Sequence, residues 1–352
     1  MQFKTRVLTP WIGNFRIDFF FILLPPILTP CLVIIFHEYF ESLEKIPLWA
    51  WVLSVLCIDV AHVYSTLFKT YFSKLELERR GKLLTLVPIL VLLVSIFLYS
   101  IGSMAFWRVL AYLAVFHFIR QQYGFLRIYS REESATRFEK FLDESLIYVL
   151  TLYPVIFWHT KETKAFNWFI KDDFYLGLPS YFEKLAFVFL ILGLVSFIVK
   201  EIYRINKGES INLNKYLLIL GTGLTWNIGI VIFDNDSIFT ITNVIAHGIP
   251  YLGLVYATEK NIPVETKFHS FLSARYVFFF LGIILALAYI EEGLWAGFVF
   301  RERLNFFYFF QGLETIQSKE TLSIVVPILS LPQATHYVLD GFIWKRTKNE
   351  VP

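Results

Sequence analysis

Four histidines stand inside long apolar runs, each with a polar residue three or four positions away. Asp59 and His62 lie in CIDVAHVYST, His117 with Arg120 and Gln121 in VFHFIRQQYG, Asn243 and His247 in TNVIAHGIPY, and His336 with Asp340 in PQATHYVLDGFIW. Residues three or four apart share one helix face, so each helix aims its polar groups in one direction. Imidazole and carboxylate together form the ligand set of iron, zinc, manganese or copper, and a metal offsets the cost of burying the aspartates. A His and Asp at i,i+4 supply either two ligands or one ligand and the acid that orients it. The pattern predicts a metal centre with His62, His117, His247 and His336 as ligands and Asp59 and Asp340 as ligands or orienting acids. Arg120 stays charged when buried and cannot ligate. It is expected to pair with Asp59 or Asp340, or with Gln121 to orient an anionic group of a substrate. Tyr123 and Tyr337 are candidate hydrogen-bond donors to a bound oxygen species, with packing as the default role of both. A bond between helices is the ordinary explanation of any single histidine of this kind. Four at similar depth, each with a polar partner on its own face, are what point to a site. The remaining histidines, His37 and His159 at helix ends and His269 in a loop, are cheap to solvate and carry no such signal.

The elements that must carry these residues are apolar helices. Of 352 residues 56% are hydrophobic, 19% aromatic and only 17% charged, with a mean hydropathy of +0.57. A soluble chain of this size would hold about 25% charged residues, so a cytosolic globular enzyme is excluded. Apolar blocks separated by short charged stretches approach the ~20 residues that cross a bilayer. Ten spans are predicted, near 17-36, 48-68, 83-102, 105-126, 143-159, 184-203, 216-233, 239-257, 275-292 and 322-343, in an all-α polytopic transmembrane bundle of one integral membrane domain over 1-352. The first run contains Pro25 and Pro26 and lacks a small-residue cleavage site, so it reads as a retained span. Lys and Arg divide 22 to 9 between alternate sides of this topology, which sets both termini in the cytoplasm. The four histidines then fall on even-numbered spans, between the midplane and the inner half.

A net charge of +3 with no basic tail excludes nucleic acid as a partner, and Cys31 and Cys57, both in apolar runs, form no disulfide framework. The aromatic-rich stretches 160-183 and 293-321 suit a belt at headgroup level. The strings HFIRQQYG (117-124) and HYVLDGFIW (336-344) are similar to elements of bacterial multi-pass membrane proteins. The intramembrane histidines resemble those of the Brp/Blh group of membrane carotenoid-cleaving dioxygenases, helical bundles that use such residues for non-haem iron. The resemblance covers four short segments and implies an iron-dependent enzyme of the bacterial inner membrane. The histidine pairing differs from that group, so its substrate does not carry over. The chain departs from the membrane desaturase and sterol-hydroxylase pattern, because no span holds two histidines.

These readings predict a metal-dependent membrane oxidoreductase, a non-haem iron oxygenase or desaturase acting on a lipid or isoprenoid-like molecule. Three rivals follow from the same residues: a proton- or ion-coupled transporter, a bis-histidine haem protein, and an assembly protein whose polar groups are helix glue.

Overall fold

Without water, a backbone must satisfy its hydrogen bonds within its own segment, and the apolar runs accordingly wind into helices. The structure, a computed structural model, describes residues 7–43, 46–260 and 274–344; His269 lies outside them. In chain order the principal helices are α1 (Phe15–Leu23), α2 (Pro25–Ile35), α3 (Leu48–Lys69), α4 (Lys74–Ile101), α5 (Ser103–Tyr129) and α6 (Arg137–His159). They continue as α7 (Tyr181–Asn206), α8 (Leu213–Ile232), α9 (Asp236–Lys260), α10 (Ala274–Trp295), α11 (Lys319–Leu329) and α12 (Leu331–Ile343).

Among the described residues seven helices are long and apolar enough to cross a membrane, and nine if each of two bent pairs counts as one span. The pairs are α1 with α2, bent by 44° where Pro25 and Pro26 open α2, and α11 with α12, bent by 45° next to Pro332. A proline in the first helical turn loses no hydrogen bond there, so it starts a new helix at an angle. The helix α5, 27 residues long, carries Arg108, Arg120, Gln121, Gln122 and Arg127 and is not among the seven. Along α7, Leu185, Val188, Leu192, Val195, Ile198, Val199 and Ile202 are all exposed. A continuous apolar face of that length is covered by lipid tails in a membrane and would aggregate in water.

The chain divides into two compact units. The first joins residues 1–48 to 118–258, and the second joins 49–117 to 259–352. In the first, α6 starts at Arg137 because Thr136 and Glu139 form a reciprocal capping box, six residues before the predicted span. Close approach in this unit depends on glycine. A Cβ on Gly229 would lie 2.3 Å from Thr242 Oγ1. At the end of the unit formed by the start of α6 and the end of α7, Lys215 meets Glu133 at 3.0 Å, Glu201 at 2.8 Å and Asp143 at 3.4 Å, while Lys200 also pairs with Asp143. The cations Lys200, Arg204 and Lys215 are thus buried and matched by carboxylates. In the second unit α12 packs on α4 through Leu84, Val87, Leu339 and Ile343, and α10 packs along α3.

Candidate metal centre

Three of the histidines come together in the second unit. The middle of α3, residues Val52–Val60, winds as a π-helix and returns to α-helix at Ala61, so Asp59 and His62 straddle the change of winding. Such π segments recur at functional sites because they reset which face a side chain occupies. In α12 the residues Gln333, His336, Tyr337 and Asp340 follow at i, i+3, i+4 and i+7, one face of a regular helix. The third histidine, His117, comes from α5.

One ring nitrogen from each of His62, His117 and His336 lies within 4.8 Å of the others, and all three side chains are buried. The rings of His62 and His336 are 5.0 Å apart and nearly perpendicular, and those of His117 and His336 are 4.6 Å apart at 68°. Each Nδ1 faces an oxygen. His62 Nδ1 is 3.3 Å from the Ile58 carbonyl and 3.8 Å from Asp59 Oδ1, and His336 Nδ1 is 2.7 Å from Thr66 Oγ1. The two oxygens of Asp340 lie 3.7 Å from His117 Nδ1 and His336 Nδ1, one each. An imidazole that donates Nδ1–H to a carbonyl or carboxylate carries its lone pair on Nε2 and is held in one orientation, the arrangement found around metal-ligating histidines. The donor set therefore fits a metal ion that takes nitrogen ligands, and carboxylates stand beside it to balance the charge.

Around this cluster the second unit gathers groups that the spacing argument passed over. Tyr64 Oη donates to Glu291 Oε2 at 2.5 Å, and Glu291 is buried on α10 beside Glu292. Both acids sit at the predicted end of the ninth span, where a carboxylate needs no explanation. The helix instead continues through Trp295 and a π turn, Ala296–Phe300, which leaves them well inside it. The signal available in sequence was the apolar run that resumes after Glu292. The Tyr337 ring lies 4.9 Å from that of His117, tilted by 34°, and its hydroxyl accepts a hydrogen bond from Gln333 Nε2 at 2.9 Å, so its own proton points elsewhere.

The other expected site residues belong to the first unit. His247 is buried, stacks on Phe118 at 3.7 Å, and is gripped twice by Gln121. Gln121 Oε1 lies 3.0 Å from the ring Nδ1, and its Nε2 donates to the His247 carbonyl at 3.1 Å. Gln121 thus orients a histidine, a role different from the expected contact with substrate or carboxylates. Arg120 was expected to pair with Asp59 or Asp340; its partners are tyrosines. It donates to Tyr148 Oη at 2.8 Å and lies 4.4 Å over the Tyr123 ring, on an exposed side of α5. Tyr123 is accordingly an aromatic support for a guanidinium. The reason is register: the antiparallel α6 presents Tyr148 to Arg120 and Glu144 to Arg127, which takes that stripe of α5 out of the helix interior.

His37 is exposed beside Glu41, as expected of a helix-end histidine, whereas His159 is buried against Phe174 and bonds the Val155 carbonyl of its own helix at 2.6 Å, so it is not solvated as expected. Outside the spans, Asp173 caps a surface loop by accepting the backbone N–H groups of Trp168, Phe169 and Ile170, yet burial raises its carboxyl above the usual range. Comparison with protein families, curated proteins and solved structures finds no match to this chain.

Proposed function

We propose that the protein is a metal-dependent integral membrane enzyme, a non-haem iron oxygenase or desaturase that acts on a lipophilic substrate. The observation that carries the reading is the trio His62, His117 and His336, buried together with a ring nitrogen of each within 4.8 Å of the others. Three buried imidazoles with ring nitrogens this close suit an ion that they can share. In this reading the three histidines hold the metal, Asp340 orients two of them, and Thr66 and the Ile58 carbonyl fix the other contacts. Bound iron would supply the redox chemistry needed to attack an unactivated carbon in an isoprenoid or acyl chain. The chain's own residues exclude water and position the substrate, with the Tyr337 proton available beside His117.

The test is the metal content of detergent-purified protein by plasma mass spectrometry, with an absorption spectrum on the same sample. The expected result is about one iron per chain and no Soret band, with the iron lost in His117→Ala and His336→Ala while both variants stay monodisperse. Full metal retention in both variants defeats the ligand assignment.

A second reading, a proton-coupled carrier, is favoured by one feature: Tyr64 hydrogen-bonds the buried Glu291 close in sequence to a second acid, Glu292. Intramembrane carboxylates of this kind serve proton relays. Metal-free protein that still moves protons in liposomes would select it.

A further inference from the structure

We propose that Arg120, with Tyr123 and Tyr148, is an anion-binding station inside the membrane for the headgroup of a singly charged lipid, phosphate or carboxylate. The depth comes from the helices. Arg120 stands nine residues before the end of α5 at Tyr129, and Tyr148 eleven residues after the start of α6 at Arg137. At 1.5 Å per residue these are about 14 and 17 Å from the same end of the helix pair, and about 9 and 8 Å inside the apolar spans predicted to end at 126 and to begin at 143, within a hydrocarbon layer of about 30 Å.

An arginine at that depth ordinarily snorkels to the interface or finds a carboxylate. Arg120 does neither. Its guanidinium is held by the bond to Tyr148 Oη at 2.8 Å and by the Tyr123 face at 4.4 Å, with the two tyrosine rings 5.8 Å apart. Both supports are neutral, and among the described residues no carboxylate forms an ion pair with it. The contrast lies on the same stripe. Arg127, two turns nearer the helix end, meets Glu144 at 2.6 Å, and the buried cations Lys200, Arg204 and Lys215 all have acidic partners.

A guanidinium has five N–H groups in a planar fork that matches a phosphate or carboxylate edge, and the aromatic ring beneath it fixes that plane. One N–H is used by Tyr148. The rest of the fork is on an exposed side of the unit, where the accessible medium is lipid. A monoanionic headgroup supplies the missing charge and acceptors, and its chain can lie along the exposed Leu152, one turn deeper on α6. The Arg127–Glu144 pair lies between this point and the helix ends, a polar step on the way in.

Native mass spectrometry of the full-length protein, titrated with phosphatidylglycerol, oleate or phosphatidylcholine, tests the station without reference to metal. The wild type should bind phosphatidylglycerol or oleate at least about tenfold more tightly than phosphatidylcholine, and whichever is preferred identifies phosphate or carboxylate as the group held. Arg120→Gln should bring that preference down to the phosphatidylcholine level, whereas Arg127→Gln should keep it. If Arg120→Gln is not monodisperse, Arg120→Lys retains the charge without the fork and should lose most of the preference. Equal binding of all three lipids by the wild type, or a preference that survives in the Arg120 variants, overturns the proposal.

Discussion

At the scale of single residues, the least conspicuous member of the candidate centre makes the sharpest prediction. Thr66 is one hydroxyl among many in the sequence, but its Oγ1 lies 2.7 Å from His336 Nδ1. Thr66→Val keeps the shape and removes that contact, so metal affinity should fall by about 10- to 100-fold while the ligand nitrogens remain. Competition against a chelator of known affinity reads the change. Asp340→Asn should fall in the same range, since it withdraws the charge facing two imidazoles but preserves the volume. Loss of all metal in either variant would mean that the residue is itself a ligand. The histidines and Asp340 were legible because spacing on a single helix is written in the chain. Thr66 and Glu291 were not, and neither was the pairing of Arg120 with Tyr148, because each depends on which residue of another helix stands opposite.

At the scale of elements, the apolar runs announced helices, but the ends and bends were set by chemistry that hydropathy averages away. The capping box at Thr136 extends α6 outward, and π turns in α3 and after α10 carry the helices past positions where a 3.6-residue period would end or rotate them. Lysines and glutamates near helix ends, which a charge count assigns to loops, form the buried Lys200–Lys215 cluster instead. Lys215 is 1% exposed and faces three carboxylates, so Lys215→Met should destabilise the first unit by about 3–5 kcal/mol, the usual result of removing one partner from a buried ionic group. Gly229→Ala should cost about 1–3 kcal/mol, because its Cβ would lie 2.3 Å from Thr242 Oγ1 and 2.6 Å from Asn243 Nδ2. Thermal unfolding in detergent, followed by tryptophan fluorescence, measures both. A midpoint as high as the wild type's in Lys215→Met would show that the Lys215 ion pairs add nothing to the stability of the unit.

For the molecule as a whole, the long apolar helices suit a bilayer, and the second unit is assembled from segments distant in the chain. His62, His117 and His336 are contributed by α3, α5 and α12, so a shared metal would tie together three helices separated by long stretches of sequence. An ion that binds the folded unit and ignores the unfolded one adds about 2.7 kcal/mol at a hundredfold excess over its dissociation constant. At roughly 2–4 °C per kcal/mol for a domain of 150–250 residues, saturating metal should raise the unfolding midpoint by about 5–10 °C above that of chelator-treated protein. The helical content before unfolding should be the same in both samples, because the apolar runs hold their own backbone bonds whether or not the ion is present. His117→Ala and His336→Ala should unfold at one temperature with or without metal. A shift of equal size in those variants would place the stabilising ion elsewhere on the molecule. A wild type indifferent to metal would leave the three imidazoles as a helix-packing device, with Thr66, Asp340 and the Ile58 carbonyl among the groups that hold them.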